Sequence, residues 1–192
     1  MVMRCGWCEG DPLYERYHDA EWGVPQRDPL ILFENLMLEA FQAGLSWITI
    51  LRKRESFRAQ FEGFDPEKLA MWNEENISNA MQNPGIIRHR GKIEATVTAA
   101  RLYLDIESRE GFAPFLWQFT EGRVIQPDRA ALGDVPAQTP EAVAMSKALK
   151  SKGFKFCGPV ICYAFMQAVG MVNDHVTTCH RHAPVKALST AG

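Results

Sequence analysis

Apolar positions along the chain recur at helical spacing, in segments that begin and end on helix signals. Between Asp28-Pro29 and Gly44, apolar residues follow one another three or four positions apart. Aspartate before proline is a typical helix start, because the carboxylate caps the first turn and proline is tolerated at its first position. Glycine then commonly follows the last turn. The pattern predicts a helix over 29–43.

The same punctuation predicts further helices. They start at Asp65-Pro66, run from Arg90 to Arg109, cover Phe112 to Phe119, run from Thr139-Pro140 to Lys152, and run from Pro159 to Gly170. Three prolines between Gly122 and Pro140 predict a long irregular connection there. No pair of segments alternates apolar and polar residues as neighbouring strands do. The sequence predicts an all-α fold.

Length and composition add the domain organisation. A chain of 192 residues, 46% of them hydrophobic, can form one domain with a sizeable core, which we expect to cover 1–192. The N-terminus lacks the apolar run of a secretory signal. The most apolar stretch, 159–172, is too short to span a bilayer. These features predict a cytoplasmic protein without a membrane partner.

Charge is unevenly distributed. A formal net charge of −2 argues against a nucleic-acid partner, which ordinarily favours a basic chain. Basic residues nevertheless cluster at 52–54, 88–92 and 147–155. One basic face on a near-neutral protein would be enough to attract DNA. The cluster at 88–92 either contacts phosphate or forms a solvated helix turn.

Cysteines and histidines concentrate at the two ends of the chain. Cys5 and His18 lie near the start, and His175 and Cys179 lie near the end, four positions apart. That spacing would place the last pair on one face of a helical turn. Two thiolates and two imidazoles satisfy a tetrahedral structural zinc ion with no open position. Such a site would attach terminal segments that are otherwise expected to be loose.

Spacing alone leaves other assignments open. Cys8 has zinc-knuckle spacing with the cysteine before it, and His180 and His182 lie in the same tail. The residues could also be unrelated, since a buried cysteine usually packs as a small hydrophobic residue. We expect that of Cys157 and Cys162. Five cysteines, an odd number, in a chain without an export signal argue against disulfides.

A short turn joins two of the predicted helices. The first ends at Gly153, and Gly158 precedes the proline that starts the second. Backbone N–H groups at such a helix start suit a phosphate, which glycine allows to approach closely. Lys152 and Lys155 flank the turn. This hairpin either binds the DNA backbone without reading its sequence or is an ordinary helix corner.

A glutamate interrupts the apolar face of the predicted helix 29–43. Glu39 shares that face with Leu32 and Leu36, where a carboxylate is costly unless it is paired or functional. Aromatic residues are available nearby in Trp7, Tyr14, Tyr17, Trp22 and Trp47. Aromatic walls and one acid could enclose a base extruded from DNA. The alternative is an aromatic core in which Glu39 accepts an N–H or forms a salt bridge.

Long blocks of the chain are similar to one known family. The similarity runs from Arg4 to about Cys179 and is most specific at Arg4-Cys5-Gly6-Trp7, Tyr17-His18-Asp19, Glu21-Trp22-Gly23-Val24-Pro25, Gln42-Ala43-Gly44-Leu45-Ser46-Trp47, Gly85-Ile86-Ile87-Arg88-His89-Arg90-Gly91-Lys92-Ile93 and the stretch Ser146 to Val176. These blocks resemble the bacterial 3-methyladenine DNA glycosylase I family of the helix-hairpin-helix superfamily. The resemblance implies that superfamily's all-α fold, with the hairpin at about 140–170.

The resemblance implies a base-excision repair enzyme. Such an enzyme flips 3-methyladenine out of alkylated double-stranded DNA and hydrolyses its glycosidic bond, leaving an abasic site and the free base. The family's base-binding residues match Tyr17, Glu39 and Trp47, with Trp7 nearby. Glu39 is the expected catalytic residue, because it can accept from N6–H and favours a cationic base. We expect a monomer.

The family also carries a structural zinc ion, one per chain. Its ligands match Cys5, His18, His175 and Cys179, which implies that the ion joins terminal segments 1–25 and 171–182. Zinc then holds the segment that carries two aromatic walls and takes no part in the reaction. The tail from Arg181 to Gly192 departs from the family's usual one and is expected to be disordered.

An acid for the sugar is missing at its usual place. Related glycosylases have an aspartate after the second hairpin helix, in a context that resembles 172–176 here, with Asn173 at its position. Asp174 is displaced by one residue and is expected to point elsewhere. A cationic base already weakens its glycosidic bond, so no strong acid or base is assigned. No lysine is visibly placed for a Schiff base, which predicts a monofunctional enzyme without lyase activity.

Expected DNA contacts complete this interpretation. Leu45, beside the aromatic pocket, is the candidate wedge that fills the gap left by the flipped nucleotide. Lys155 and Gly158 are the candidate backbone contacts. Two rival functions are a non-catalytic DNA-binding module that retains the fold, and a zinc-dependent hydrolase. The hydrolase is disfavoured, because four protein ligands leave the metal no open position.

Overall fold

The structure, a computed structural model, describes residues 2–188 of the chain. Within this range it contains ten α-helices: α1 (Pro12–Ala20), α2 (Pro29–Gln42), α3 (Trp47–Gln60), α4 (Pro66–Ala70), α5 (Glu74–Gln82), α6 (Arg90–Arg109), α7 (Phe112–Trp117), α8 (Pro140–Lys152), α9 (Pro159–Ala168) and α10 (His182–Leu188). Among these residues extended pairing is limited to one bridge, between Ile125 and Val172. The all-α class is confirmed. None of these helices combines the length and apolar character needed to cross a bilayer.

Side-chain caps start the helices where the sequence predicts them. The side chains of Asp28, Asp65 and Thr139 accept backbone N–H groups from the first turns of α2, α4 and α8. The same signal at Asp11-Pro12, which the sequence prediction did not include, begins α1 in the same way. The aromatic N-terminal segment is therefore partly helical. The connection from 121 to 139 is irregular apart from one 3₁₀ turn, as predicted.

Helix α2 lies at the centre of the molecule. It packs against α9, α3 and α6. Six of its large apolar side chains are almost wholly buried, namely Leu32, Phe33, Leu36, Met37, Leu38 and Phe41. A helix surrounded in this way leaves its last carbonyl groups away from water, and each needs a hydrogen-bond partner.

A buried lysine supplies that partner. Lys92, on the first turn of α6, is 6% exposed. Its Nζ donates to the carbonyl oxygens of Phe41 at 2.8 Å and Ala43 at 2.6 Å. A cation at a helix C-terminus also interacts favourably with the helix dipole. Burial lowers the pKa of the Lys92 ammonium from its usual value. Lys92 therefore joins α6 to the end of α2.

The residues of the predicted basic cluster at 88–92 therefore have different roles. Lys92 is a buried structural residue, and the side chain of His89 caps the start of α6. Arg90 forms ion pairs with Glu74 and Glu94. The first turn of α6 is therefore neither a row of free cations nor simply a solvated turn.

Backbone contacts fasten the segment between α1 and α2 to the end of α9. Two hydrogen bonds of 3.1 and 3.0 Å join residues 23–26 to residues 167–169. Gly170 has a left-handed φ of 72°, and a Cβ there would lie 2.4 Å from backbone atoms of Val24 and Pro25. Both the conformation and the close approach require glycine at this crossing.

The tail differs from the expectation of disorder. Residues 182–188 form α10, on which Val185 is buried. His182 and Lys186 both face Asp128 of the long connection, at 3.0 and 2.9 Å. The prediction is therefore wrong for 181–188, because an apolar contact and an acidic partner stabilise the helix. Residues 189–192 lie outside the described part.

Replacing Lys92 with methionine should destabilise the protein by about 2 kcal/mol, because buried carbonyls lose hydrogen bonds to a charged donor. Methionine keeps most of the side-chain volume, so the change isolates the hydrogen bonds. Urea denaturation measures the effect. Lys147→Met, at an exposed position of α8, is the control and should change the unfolding free energy by less than about 0.5 kcal/mol. Equal effects of the two substitutions would contradict the role given to Lys92.

Candidate functional site

Four metal-ligating side chains from the two chain ends meet in the interior. They are Cys5, His18, His175 and Cys179, all buried, and their ligand atoms lie within 4.8 Å of one another. Cys5 precedes the 3₁₀ turn Gly6–Cys8, and His18 lies on α1. The last two residues lie in a turn after α9 and not on the helical turn that their spacing predicts. The four predicted ligands are thus brought together, although the backbone that carries His175 and Cys179 is not the predicted helical turn.

The spacing inside this Cys/His cluster fits a tetrahedral ion. Sulfur-to-nitrogen distances are 3.7 Å from Cys5 to His175, and 3.5 and 3.6 Å from Cys179 to His18 and His175. Tetrahedral zinc with ordinary bond lengths requires about 3.6 Å between sulfur and nitrogen ligands. Hydrogen bonds from the Cys5 thiol and the imidazoles lower the pKa of the Cys179 thiol, which favours a thiolate. These four residues could hold a metal ion.

The second nitrogen of each imidazole has its own acceptor. Nδ1 of His18 lies 2.8 Å from a carboxylate oxygen of Asp19, which Arg4 also binds. Nε2 of His175 lies 3.1 Å from the carbonyl oxygen of Trp22. Such partners fix the tautomer and orientation of metal-binding histidines. They leave Nε2 of the first and Nδ1 of the second to face the ion.

The alternative ligands are occupied elsewhere. The Cys8 thiol donates to the carbonyl oxygen of Cys5. His180 lies 2.9 Å from the carbonyl oxygen of Met3, and His182 faces Asp128. Cys157 and Cys162 are buried free thiols in the core, as predicted.

A pocket of about 400 Å³ opens beside the cluster. Its walls come from the N-terminal segment, from α2, from the start of α3, from the long connection and from α9 with the residues after it. The lining residues are Trp7, Tyr14, Tyr17, Trp22, Glu39, Gln42, Trp47, Leu132, Val135, Ala164, Gln167 and Asp174. The four residues predicted to form a base pocket, Trp7, Tyr17, Glu39 and Trp47, are all among them.

Aromatic contacts connect the pocket to the Cys/His cluster. The ring of Trp7 lies edge-on to His18 at 5.3 Å and to Trp22 at 5.0 Å. Trp22 in turn lies edge-on to His175 at 4.6 Å. Tyr17, the residue before His18, faces Trp47 at 5.5 Å. A shift of the cluster would therefore move the aromatic walls directly.

Glu39 carries a buried carboxyl group without a hydrogen-bond partner among residues 2–188. It is 2% exposed, and Oε2 has no hydrogen bond within the described structure. Burial raises the pKa of Glu39 well above its usual value, because the charged form loses its water. The salt bridge considered from sequence is absent among the described residues. A buried polar atom of this kind calls for a functional explanation.

Two further polar atoms of the pocket are also buried without a hydrogen-bond partner in the described structure. Oε1 of Gln42 and Nε1 of Trp47 are buried and have no partner among residues 2–188. Gln42 follows Glu39 by three positions on α2, so the two side chains are neighbours on one helix face. Gln42 was not predicted as a site residue, although it begins a block of family similarity and lies just before the glycine turn. Two acceptors and one donor thus surround a space lined by aromatic rings.

Asp174 does not point away from the pocket, contrary to the sequence prediction. It is 1% exposed and lines the pocket wall. Asn173 is not among the lining residues, and its amide donates to Gln126 and to the carbonyl oxygen of His182. Next to the bridge between Val172 and Ile125, the backbone N–H of Asn173 donates to the carbonyl oxygen of Ile125, and it is Asp174 that lines the pocket. The pocket therefore has two carboxyl groups.

The residues predicted to touch DNA occupy exposed turns. Leu45, 41% exposed, lies in the turn between α2 and α3, between the pocket residues Gln42 and Trp47. Lys155 is exposed in the turn between α8 and α9. A Cβ added to Gly158, at the start of α9, would meet open space. Among residues 2–188, no hydrogen bond or ion pair holds the side chain of Leu45 or Lys155 against the core.

Comparisons with known proteins agree on one family. A sequence profile described as methyladenine glycosylase matches residues 7–182. The chain is 52% identical over 179 residues to DNA-3-methyladenine glycosylase 1 of Escherichia coli (strain K12), covering 93% of this chain and 96% of that protein.

Solved structures give the same result. One crystal structure of 3-methyladenine DNA glycosylase I, at 52% identity, superposes with a TM-score of 0.92 over 94% of this chain and 100% of that one. A structure described as the basis of 3-methyladenine recognition by the Staphylococcus aureus enzyme, at 39% identity, gives 0.90 over 93% of this chain and 96% of that one. The predicted resemblance is confirmed.

The Cys/His cluster predicts which cysteine a metal requires. Cys179→Ser should lose bound metal, because its thiol contacts both imidazoles, whereas Cys8→Ser should keep about one ion per chain. Elemental analysis after exhaustive dialysis measures the content, and thermal unfolding with and without chelator measures the coupling to stability. Metal retained by the Cys179 variant and lost by the Cys8 variant would reverse the assignment.

The buried Glu39 predicts a pH-dependent stability. The pKa of Glu39 is higher in the folded protein than in the unfolded chain. Below the unfolded pKa the carboxyl group is protonated in both states, so no free energy is spent on burying a charge. The cost appears as pH rises above the unfolded pKa. Glu39→Gln should therefore raise the free energy of unfolding at pH 8, and by less at pH 5. Urea denaturation at the two pH values tests this, and a variant less stable than wild type at pH 8 would contradict it.

Proposed function

The chain belongs to the methyladenine glycosylase family, and we propose that it flips 3-methyladenine out of alkylated double-stranded DNA and hydrolyses its glycosidic bond. The products are the free base and an abasic site. One observation carries the proposal beyond the family. The unpartnered atoms of Glu39, Gln42 and Trp47 converge on a pocket with aromatic walls, and a purine ring presents the donors and acceptors they lack.

Charge is the basis of recognition in this proposal. Alkylation at N3 makes the base cationic while it is attached to the sugar. Tyr17 and Trp47 provide ring faces that attract a cation, and Glu39 accepts from N6–H while its charge favours the cationic ring. Burial makes an unpaired carboxylate costly in the free protein, so a cation in the pocket supplies the missing partner. An undamaged, neutral adenine would supply less.

The same charge accounts for the chemistry. Breaking the bond between C1′ and N9 sends both electrons to the base, which leaves as a neutral ring. Water then bonds to C1′ and releases a proton to solvent. We propose a monofunctional reaction, because no lysine is among the pocket-lining residues of the described chain. The buried Lys92 is committed to two carbonyl oxygens.

We assign DNA binding to the hairpin α8–α9 and the turn after α2. The start of α9 at Gly158 suits a phosphate, and the exposed Lys155 lies in the same turn. Leu45 is the wedge that replaces the flipped nucleotide in the stack. Its exposed position next to the pocket supports that role.

We assign zinc to Cys5, His18, His175 and Cys179. The donor set of two thiols and two imidazoles, its distances and the acceptors behind both histidines support this choice. The ion completes a four-coordinate structural site when bound. Its effect is to keep the terminal segments together, and no step of the reaction passes through it.

Release of 3-methyladenine from methylated duplex DNA tests the function. The wild-type protein should release it in preference to 7-methylguanine, as measured by chromatography of the freed bases. A non-catalytic DNA-binding module, the rival function, predicts an intact duplex. Glu39→Gln should lower affinity for the methylated base by about 10-fold or more, since a charge-assisted hydrogen bond is lost.

The control for that variant lies on the same helix. Glu34 is bound by Arg58 and lies outside the pocket, so Glu34→Gln should leave base release and base affinity near wild type. Binding of unmodified duplex should be unchanged in both variants. If Glu39→Gln weakened binding of unmodified and methylated DNA equally, its pocket role would be refuted.

A further inference from the structure

Asp174 is the second carboxyl group of the pocket, and it is held very differently from Glu39. Three side chains donate hydrogen bonds to it. The hydroxyl of Tyr163 and Nε2 of Gln167, at 2.9 Å, bind Oδ2, and Nε of Arg129 lies 3.3 Å from Oδ1. Arg129 also supplies a positive charge. These contacts hold the Asp174 carboxylate in a fixed position, whereas Oε2 of Glu39 has no hydrogen-bond partner in the described part of the chain.

The two carboxyl groups stand on separate walls. Glu39 lies on α2, near Tyr14 and Tyr17; burial raises the pKa of each tyrosine, and the nearby Glu39 carboxyl raises it further. Its own pKa is raised by burial alone, without a contribution from Asp174. Asp174 belongs instead to the wall made by α9, where Gln167 both lines the pocket and binds it. One substrate could meet both groups, at different ends.

We propose that Asp174 faces the deoxyribose of the flipped nucleotide and stabilises the positive charge that develops there. The proposal rests on the glycosylase function given above. Asn173 stands where related glycosylases have an aspartate, and this chain uses the next residue, Asp174, which lines the pocket.

The course of α9 identifies this wall as the one nearest the sugar. The helix begins at Gly158-Pro159, where the hairpin is placed on the DNA backbone, and continues to Tyr163 and Gln167. Both hold Asp174. A rigid helix therefore joins the phosphate contact to this carboxylate. The part of the pocket formed by Glu39 and the aromatic rings is left for the base.

The role is electrostatic. When the bond between C1′ and N9 breaks, both electrons go to the base, and C1′ with the ring oxygen carries the positive charge. A fixed carboxylate lowers the energy of that state. Water then adds to C1′ and its proton passes to solvent, so Asp174 ends unchanged. Its three donors orient it without requiring rearrangement during the reaction.

Single-turnover base release with Asp174→Asn tests the role. We expect the rate at saturating protein to fall about 100-fold, the range found when one group that stabilises developing charge is removed. Affinity for free 3-methyladenine and for duplex with an abasic-site analogue should change less than about 3-fold. A purely structural residue would not separate rate from affinity in this way.

Asn173→Ala is the matched control, since Asn173 is equally buried and lies off the pocket. Its rate should stay within about 3-fold of wild type. If Asp174→Asn proves poorly folded, Asp174→Ser, which keeps a small acceptor without charge, takes its place, and the same slow rate with unchanged affinity is expected.

Each outcome decides between the two proposals. A wild-type rate in the Asp174 variant overturns this role and leaves the glycosylase function intact. An equal loss of rate and of free-base affinity also overturns it, because Asp174 would then read the base. A wild-type protein that releases no base overturns the proposed function and this role with it.

Discussion

The contact between Cys5 and His175, 170 positions apart, is the constraint on which the pocket depends. Both histidines of the Cys/His cluster have a pocket-lining residue directly before them in the sequence. Tyr17 precedes His18, and Asp174 precedes His175. Closing the cluster therefore sets the distance between an aromatic wall and a carboxylate wall. A metal that takes no part in chemistry could still determine the shape of the site that performs it.

The pocket is costly to form, and α2 shows how that cost is offset. A buried polar group without a partner costs about 1–3 kcal/mol, and α2 carries two, Glu39 and Gln42. The same helix buries six large apolar side chains, each contributing about 1.5–3 kcal/mol. Lys92 satisfies its last carbonyls. The two polar side chains of the pocket thus lie on a strongly packed helix, where they cannot move to reach other hydrogen-bond partners.

Local signals predicted much of this fold, and their failures have physical causes. Capping at Asp28, Asp65 and Thr139 depends on adjacent residues alone, so the starts of α2, α4 and α8 were predictable. Helix α3 was not predicted, because its charged residues break the apolar spacing. In the tail, α10 forms through contacts with Asp128, which is distant in sequence.

The candidate site also has features that could be predicted from the sequence and one that could not. Residue chemistry marked the cluster and the pocket residues Trp7, Tyr17, Glu39 and Trp47, and the family resemblance gave them roles. The orientation of Asp174 could not be predicted, because its carboxyl group is held by side chains that only the folded chain brings to it, namely Arg129, Tyr163 and Gln167.

Two carboxylates on separate walls suit a reaction in which positive charge moves. In the reaction that we propose, the charge begins on the methylated base beside Glu39 and passes to the sugar, towards Asp174, as the bond breaks. The free base that remains is neutral, so the attraction that selected it is weakened once the bond is broken. Recognition by charge therefore favours substrate over product without any change of pocket shape. In this proposal Glu39 is left without a hydrogen-bond partner because it binds a substrate that is already cationic. Asp174 is fixed by three donors because it must be in position before the positive charge forms on the sugar.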